Sequence, residues 1–187
     1  MTHFSEIFTA NALLILRNLE LRQPVENNVR LAPEIYFSWD YKQGKVALEI
    51  KSSAGHLADI WAKVSGDPRY VSFNISLGEC SFNAGDVLGL IVDFEGCAGQ
   101  TLPLMIRSAL NGDMADTPLQ DPLVGSDDRA VRTLLHAIRP QEALTGPAKH
   151  HTLIFQLPRK DFWLDIRDLR LFVIPAARRL LGHQGAV

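Results

Sequence analysis

The chain has 187 residues, of which 47% are hydrophobic and 21% are charged, and its formal net charge at pH 7 is -2. This length and apolar content suffice for one buried core, so we expect residues 1–187 to form a single domain. The near balance of charge, with no long run of lysine or arginine, excludes the electrostatic surface expected of a nucleic-acid-binding protein.

The chain begins without a recognisable targeting signal. Its first residues, MTHFSEIF, lack the basic segment, apolar core and cleavage site of a signal peptide, and the apolar run 12–16 is too short to span a bilayer. We therefore expect a cytoplasmic protein that does not insert into a membrane. Residues 2–9 would form a helical turn, and the alternation of apolar residues in 12–22 predicts a first strand.

Two further alternating segments predict a hairpin. Residues 34–41, EIYFSWDY, carry apolar side chains at every second position, so Trp39 would lie on the core face. A reversal at residues 43–44 leads into the alternating run 46–50. Because a tight turn joins the two runs, we expect them to pair as a β-hairpin.

The middle of the chain contains the clearest strand patterns. Residues 70–77 alternate as in a half-exposed strand, whereas 87–94 is a nearly continuous apolar run, typical of a strand buried on both faces. Residues 102–110 are the expected neighbour of that buried strand. Segment 52–67 is less regular and is interpreted as a connection, in which Trp61 would belong to a helical turn or an edge strand.

Turn-forming residues dominate the next segment. Asp, Pro, Gly and Asn are frequent in residues 111–125, which predicts a long surface loop. Apolar residues then recur at helical spacing from Ala130 to Ile138, before Pro140, so one short helix is expected there. A polar loop, residues 139–149, precedes the last apolar block.

The last apolar block, His150 to Pro175, predicts two strands that close the fold. Side chains alternate in 152–157, and alternation resumes at 164–166 before it slips by one residue near Asp168. A one-residue slip would turn every later side chain to the other face, so a β-bulge is expected there.

These elements define a fold class. The short strands, separated by turns and accompanied by at most two helices, predict an all-β protein. We expect an antiparallel two-sheet β-sandwich, or jelly roll, with one or two short helices.

Three segments carry a family resemblance. They are the turn and strand GDVLGL at 85–90, the strand at 152–157 and the segment LDIRDLRL at 164–171. In these patterns the chain resembles the galactose-binding-like jelly-roll modules found among carbohydrate-binding modules. The run GDVLGLIVD at 85–93 is also similar to the lectin-like sandwiches of the SPRY type, although residues 96–103 depart from their usual continuation. Either resemblance implies a non-catalytic recognition domain with a ligand site in loops or on a concave face.

No catalytic or nucleotide-binding motif is present. The sequence lacks G-x-G-x-x-G, G-x-x-x-x-G-K-[ST] and G-x-S-x-G. His150 and His151 would point to opposite faces of a strand, and the H-x-H arrangement of cupins is absent. Asp93 and Glu95 lie two residues apart, a spacing that can separate the pKa values of two carboxyl groups, but solvated residues at a strand end are the favoured interpretation. The sequence therefore favours a protein that is not an enzyme.

Metal and cysteine chemistry are weakly indicated. Carboxylates are dense between Asp113 and Asp128, with Asp113 and Asp116 as candidate ligands for Ca²⁺, but the spacing matches no EF-hand and loop solvation is favoured. No cofactor is therefore predicted, and a hydrolase or metal-dependent enzyme using these loop carboxylates is an alternative. Cys80 and Cys97 lie at no metal-like spacing, so we expect free thiols.

Aromatic side chains give the main hypothesis for function, because exposed flat rings can stack on sugars. Tyr36 and Tyr41 lie off the apolar face of their strand or at its end, and Trp163 follows a polar turn. Arg107 interrupts an apolar run and would be a surface charge or a ligand donor. We predict these four residues as ligand-binding positions for a carbohydrate or a glycan-bearing partner. The alternative is a protein-interaction or scaffolding domain that forms a homo-oligomer.

Overall fold

Two antiparallel sheets of six strands and one helix make up the fold of the part of the chain that this computed structural model describes, residues 2–53, 56–110 and 112–176. The elements of this part, in chain order, are α1 (Phe4–Asn18), β1 (Arg22–Val25), β2 (Arg30–Ala32), β3 (Ile35–Trp39), β4 (Gly44–Lys51), β5 (Ala58–Gly66), β6 (Val71–Cys80), β7 (Val87–Leu102), β8 (Leu104–Leu110), β9 (Asp113–Pro118), β10 (Leu123–Ala137), β11 (Lys149–Gln156) and β12 (Phe162–Ile174).

The two sheets pack face to face. Sheet A has the strand order β1-β4-β5-β12-β7-β10, and sheet B has the order β2-β3-β6-β11-β8-β9. The inward side chains form one core whose fully buried members include Phe37, Phe73, Phe94 and Phe155. The predicted fold class, an all-β antiparallel two-sheet sandwich, is confirmed. No helix in the described ranges is long and apolar enough to cross a membrane.

Residues 4–18 form helix α1, so the strand predicted at 12–22 is wrong. Ala12, Leu13 and Leu16 share one helical face and are buried. The alternation of Leu13 and Ile15 predicted a strand, but Ile15 is 40% exposed, and the N-terminal signal favours the helix. The His3 side chain accepts the Ser5 N–H, while the side chain of the third helical residue accepts the His3 N–H, which is a capping box.

Helix α1 lies against both sheets. Phe4 and Phe8 approach β6 so closely that a Cβ on Gly78 would lie 2.8 Å from the Phe4 ring. Towards sheet A, Glu6 Oε1 accepts a hydrogen bond from the Val173 N–H of β12 at 3.1 Å. The helix therefore links the two sheets.

The turn after β3 carries the chain from sheet B to sheet A, so the predicted β-hairpin is wrong. Strand β3 pairs with β2 and β6, whereas β4 pairs with β1 and β5. The predicted connection at 52–67 contains β5, an interior strand of sheet A. Alternation along a segment indicates a strand but not its partner, which packing between distant segments decides.

Two predictions for residues 102–125 are also wrong. Strand β8 pairs with β9 and β11 in sheet B and is not a neighbour of β7. The predicted loop at 111–125 contains β9 and the start of β10. Strand β9 is exposed at five of its six positions, so it carries no apolar alternation that the sequence could reveal.

The predicted helix from Ala130 to Ile138 is the second half of β10 and the residue that follows it. The buried apolar side chains are Ala130, Leu134 and Ile138, whereas Val131 and Leu135 are exposed. Both exposed residues completed an apparent helical repeat. A strand at the edge of a sheet can place apolar residues on its outer face. Here those residues, together with the buried ones, gave the sequence an apparent helical spacing.

The last apolar block is confirmed as two strands, β11 in sheet B and β12 in sheet A. The pairing of β12 with β7 shifts register between Ile166 and Asp168, which confirms the predicted β-bulge. Because of this shift, Leu164 before the bulge and Leu169 after it both face the core.

The buried titratable side chains of the described residues include two cysteines and His151. Cys80 and Cys97 are free thiols, as predicted, and burial raises their pKa values to about 11 and about 12. His151 is buried between Ser108 Oγ, 2.8 Å from Nδ1, and the Cys80 carbonyl, which accepts from Nε2 at 3.1 Å. Burial lowers the pKa of His151 from 6.5 to about 4.

We expect His151 to make stability depend on pH. Its pKa is lower in the folded chain than in the unfolded chain, so unfolding takes up a proton and stability falls as the pH drops from 6.5 towards 4. The loss between pH 7 and pH 5 should be about 2 kcal/mol. Urea denaturation at both pH values measures it.

The variant His151→Asn should be less stable at pH 7 but should lose most of this pH dependence. The matched control is His150→Asn, because His150 is the exposed neighbour on the same strand. An unchanged pH slope in His151→Asn would contradict the assignment.

Candidate functional site

The structure distributes the four predicted ligand-binding residues over three places. Tyr36 and Arg107 lie together on the outer face of sheet B. Trp163 lies on the outer face of sheet A. Tyr41 is 66% exposed in the turn after β3 and lines neither surface depression.

A groove of about 320 Å³ crosses the outer face of sheet B. We call it the sheet B groove, and its lining is Asn28, Tyr36, Ser38, Tyr70, Ser72, Asn74, Met105, Arg107, Ile154 and Gln156. The depth of the groove follows from the sizes of the side chains. Small residues on β6, Ser72 and Asn74, are buried and form the floor. Larger residues form the walls on β3, next to β6, and on β8, which β11 separates from β6.

Strand register sets the order of the groove residues. Tyr36, Asn74, Ile154 and Met105 oppose one another from β3 through β6 and β11 to β8. Side chains at opposed positions lie on the same face of the sheet. The groove therefore runs across the strands, from an aromatic wall on β3 to a wall that also contains Arg107 on β8.

The floor is held by its own hydrogen bonds. Asn74 Nδ2 donates to Ser72 Oγ at 3.0 Å and to the Tyr36 carbonyl at 3.3 Å. Ser72 Oγ donates to the Ser38 carbonyl at 3.2 Å. These bonds fix the orientation of the Asn74 amide and leave its Oδ1 without a partner among the described residues. The hydroxyl groups of Tyr36 and Tyr70 also form no hydrogen bond within that part of the chain, so all three groups can meet a ligand.

Arg107 is the charged residue of the groove lining, and its charge is neutralised. Its Nε and Nη2 donate to the two carboxylate oxygens of Asp116, both at 2.8 Å. The hydrogen-bonded guanidinium lowers the pKa of Asp116 below its ordinary value, and Asp116 raises the pKa of Arg107. The pair offers a fixed planar group at the wall of the groove without a net charge.

The four predicted ligand-binding residues include neither the floor of the groove nor Tyr70. The segment 70–77 was predicted as half-exposed, but Ser72, Asn74 and Ser76 are all buried on its outer face. The available signal was their type, since an outer face of small hydroxyl and amide side chains with no charge is unusual for a solvated strand. Such a face predicts a covered or ligand-facing strand.

A second depression, of about 800 Å³, lies on the outer face of sheet A. We call it the sheet A cleft, and its lining is Pro24, Val25, Ala47, Leu48, Glu49, Lys51, Trp61, Ala62, Lys63, Asp161, Phe162 and Trp163. Trp61 is 47% exposed, and its ring lies 5.7 Å from that of Trp163 on the neighbouring strand. Trp163 Nε1 donates to Asp59 Oδ1 at 2.7 Å, which fixes this ring.

The carboxylates predicted as weak chemical candidates take part in ion pairs. Asp93 Oδ2 lies 2.6 Å from Arg129 Nη2, and the hydrogen bond from Arg129 lowers the pKa of Asp93. Glu95 lies 3.4 Å from Arg167. Asp116 pairs with Arg107, as described above.

The predicted Ca²⁺ ligands lie on β9. Asp113 is the first residue of this strand and Asp116 is also on it. Within the described ranges, no three His, Cys, Asp or Glu side chains come together in a way that could hold a metal ion. The two residues are therefore part of a strand, whereas the prediction placed them in a loop.

Comparison with known proteins identifies the fold. No family model matches the chain, and no curated protein matches it. A CBM4 carbohydrate-binding module has a TM-score of 0.51 and 11% identity over 81% of this chain and 95% of that chain. The likeness confirms, for the fold, the resemblance to jelly-roll carbohydrate-binding modules.

Two other solved structures share this fold. A Stig cyclase from Fischerella sp. TAU, in complex with (3Z)-3-(1-methyl-2-pyrrolidinylidene)-3H-indole, has a TM-score of 0.51 and 11% identity over 89% of this chain and 96% of that chain. The enzymatically active domain of tailspike protein 4 from bacteriophage CBA120 has a TM-score of 0.51 and 12% identity, and the match covers 75% of this chain but only 19% of the tailspike chain. The neighbours include both binding modules and enzymes, so the fold does not decide the function.

We expect the two tryptophans to contribute differently to stability. Trp163→Phe removes the hydrogen bond to Asp59 and should lower the free energy of unfolding by about 1 kcal/mol. Trp61→Phe is the matched control, since Trp61 is the exposed partner and its change should have a smaller effect. Denaturant titration of both variants measures the difference, and equal losses would show that the Asp59 bond adds nothing.

Proposed function

We propose that this protein is a carbohydrate-binding module that holds a neutral glycan in the sheet B groove. The main support for the proposal is the groove. Its floor is fixed by hydrogen bonds, and Asn74 Oδ1 and the hydroxyl groups of Tyr36 and Tyr70 are left without partners among the described residues. The fold shared with a carbohydrate-binding module supports it.

The chemistry of the lining suits a sugar. A pyranose presents hydroxyl groups, which donate and accept hydrogen bonds, and faces of C–H groups, which pack on aromatic rings. The groove offers amide and hydroxyl groups from Asn74, Gln156 and Ser38, and rings from the two tyrosines. These neutral groups discriminate by direction of hydrogen bonding, because a ligand that fails to pair with them leaves a buried polar group unsatisfied.

The charge and shape of the groove narrow the ligand class. Arg107 is neutralised by Asp116, so no unpaired charge of the lining favours an acidic or a basic sugar. The groove crosses four adjacent strands, β3, β6, β11 and β8. Strands lie about 4.8 Å apart, so the crossing is about 14 Å long. A short neutral oligosaccharide, bound along its length, fits this site.

Loss of Tyr36 should weaken binding of a neutral oligosaccharide at least tenfold, because the ring and its hydroxyl group both leave the wall. The measurement is isothermal titration calorimetry with cellohexaose, xylohexaose and mannohexaose as the neutral probes. Tyr36→Ala and Tyr70→Ala are the test variants. Tyr41→Ala is the matched control, since Tyr41 is exposed and lies outside the groove.

The three variants distinguish binding in the groove from binding at Tyr41. Equal loss in Tyr41→Ala would place the ligand at the turn after β3. If none of the three probes bound, a glycan array would extend the search to other neutral glycans, and an empty array would refute the proposal.

A second candidate function, a homo-oligomeric scaffolding domain, is supported by the solvent side of α1. Phe4, Ile7, Leu14 and Ile15 are all exposed there, each by 40% or more. A helix that shows apolar residues to solvent is typical of an interface. Light scattering should give twice the monomer mass of 20.8 kDa if two copies pair through this face, and Ile7→Glu should then restore the monomer.

A further inference from the structure

The sheet A cleft has the features of a ligand site that is independent of the sheet B groove. It is the larger of the two depressions and lies on the opposite outer face of the sandwich. Its aromatic residues are Trp61, Phe162 and Trp163, and its charged residues are lysines and carboxylates, whereas the one charge of the groove lining is neutralised.

A row of opposed side chains crosses the cleft. Pro24, Glu49, Trp61 and Trp163 oppose one another from β1 through β4 and β5 to β12. Three of these four side chains present rings. The row spans about three strand spacings, or about 14 Å. An extended ligand made of rings can therefore lie along it, with Trp61 at its centre.

The tryptophan pair is fixed before any ligand arrives. Trp163 is held by Asp59, and its ring packs against Trp61. Ligand binding to a fixed surface loses little conformational entropy. The 47% exposure of Trp61 leaves a large apolar surface in water, and a ligand would remove part of it.

Two lysines flank the central tryptophan. Lys63 lies on the same strand and face as Trp61, and Lys51 Nζ lies 5.8 Å from the centre of the Trp61 ring. Neither lysine forms an ion pair within the described residues. The opposite charges of the cleft are Glu49, beside Trp61, and Asp161, which already accepts the Val64 N–H at 2.8 Å. The ammonium groups are therefore free to meet an anion next to an aromatic ring.

We propose that the sheet A cleft binds an acidic oligosaccharide, with a uronic acid ring stacked on Trp61 and its carboxylate paired with Lys51 and Lys63. The C–H face of the sugar covers the exposed indole, and the ring row accommodates the neighbouring sugars. Glu49 accepts hydrogen bonds from sugar hydroxyl groups, as carboxylates do. The molecule would then hold an acidic glycan on one face and a neutral glycan on the other.

The test titrates the full chain with a galacturonic acid hexasaccharide and with its carboxyl-reduced, neutral counterpart. Trp61→Ala and the double variant Lys51→Gln/Lys63→Gln should each weaken binding of the acidic probe at least tenfold. Binding should also weaken as salt is raised from 50 mM to 500 mM, because the pairing is between exposed charges. Trp61, Lys51 and Lys63 are surface side chains, and thermal unfolding of each variant confirms that it is folded.

Two controls separate this site from general charge and from the groove. Lys45→Gln removes another exposed lysine on β4, outside the cleft, and should leave binding unchanged. Tyr36→Ala should leave binding of the acidic probe unchanged while it weakens binding of neutral glycans. No binding of the acidic probe, or equal binding of its neutral counterpart, overturns the proposal. Loss of acidic binding in Tyr36→Ala would place this ligand in the groove.

Discussion

The whole of sheet B depends on strand β6 being buried on both faces. On the inner face, Phe73 stacks on Phe37 of β3 at 4.8 Å and lies 6.0 Å from Phe155 of β11. These three rings are directly opposed in the strand register. A slip of one residue in either pairing would turn an aromatic ring to solvent, so this row fixes the register of three strands.

The same row places the candidate site. Because side chains alternate along a strand, the residues on either side of Phe73 must point outward, and these are Ser72 and Asn74. Their small size leaves a depression between the larger side chains on β3 and β8. Their hydrogen bonds to each other and to neighbouring backbone keep the floor of this depression rigid. The core thus determines the position of the groove, and the identity of the outer residues determines its chemistry.

The two outer faces of the sandwich differ in how their charged side chains are paired. On sheet B, the charge of Arg107 is balanced by Asp116 at the wall of a neutral groove. On sheet A, the bulge next to Asp168 brings Arg167 within 3.4 Å of Glu95 and within 3.3 Å of Asp165. These pairs lie beside the tryptophan pair, whereas the lysines of the cleft stay unpaired.

The sequence alone was enough to locate the strands that have one face packed against the core. Alternation located β3, the first part of β6 and both closing strands, and the slip near Asp168 revealed the bulge, because burial of one face imposes a period of two. Tertiary structure decided the pairing of strands, the strand conformation of residues 130–137 and the depth of the groove at Ser72 and Asn74. Periodicity tells which side chains share a face, but not whether that face meets water, a second layer or a ligand. Tyr36 and Arg107 became one site only because β6 and β11 lie between their strands, and that arrangement depends on contacts between segments far apart in the chain.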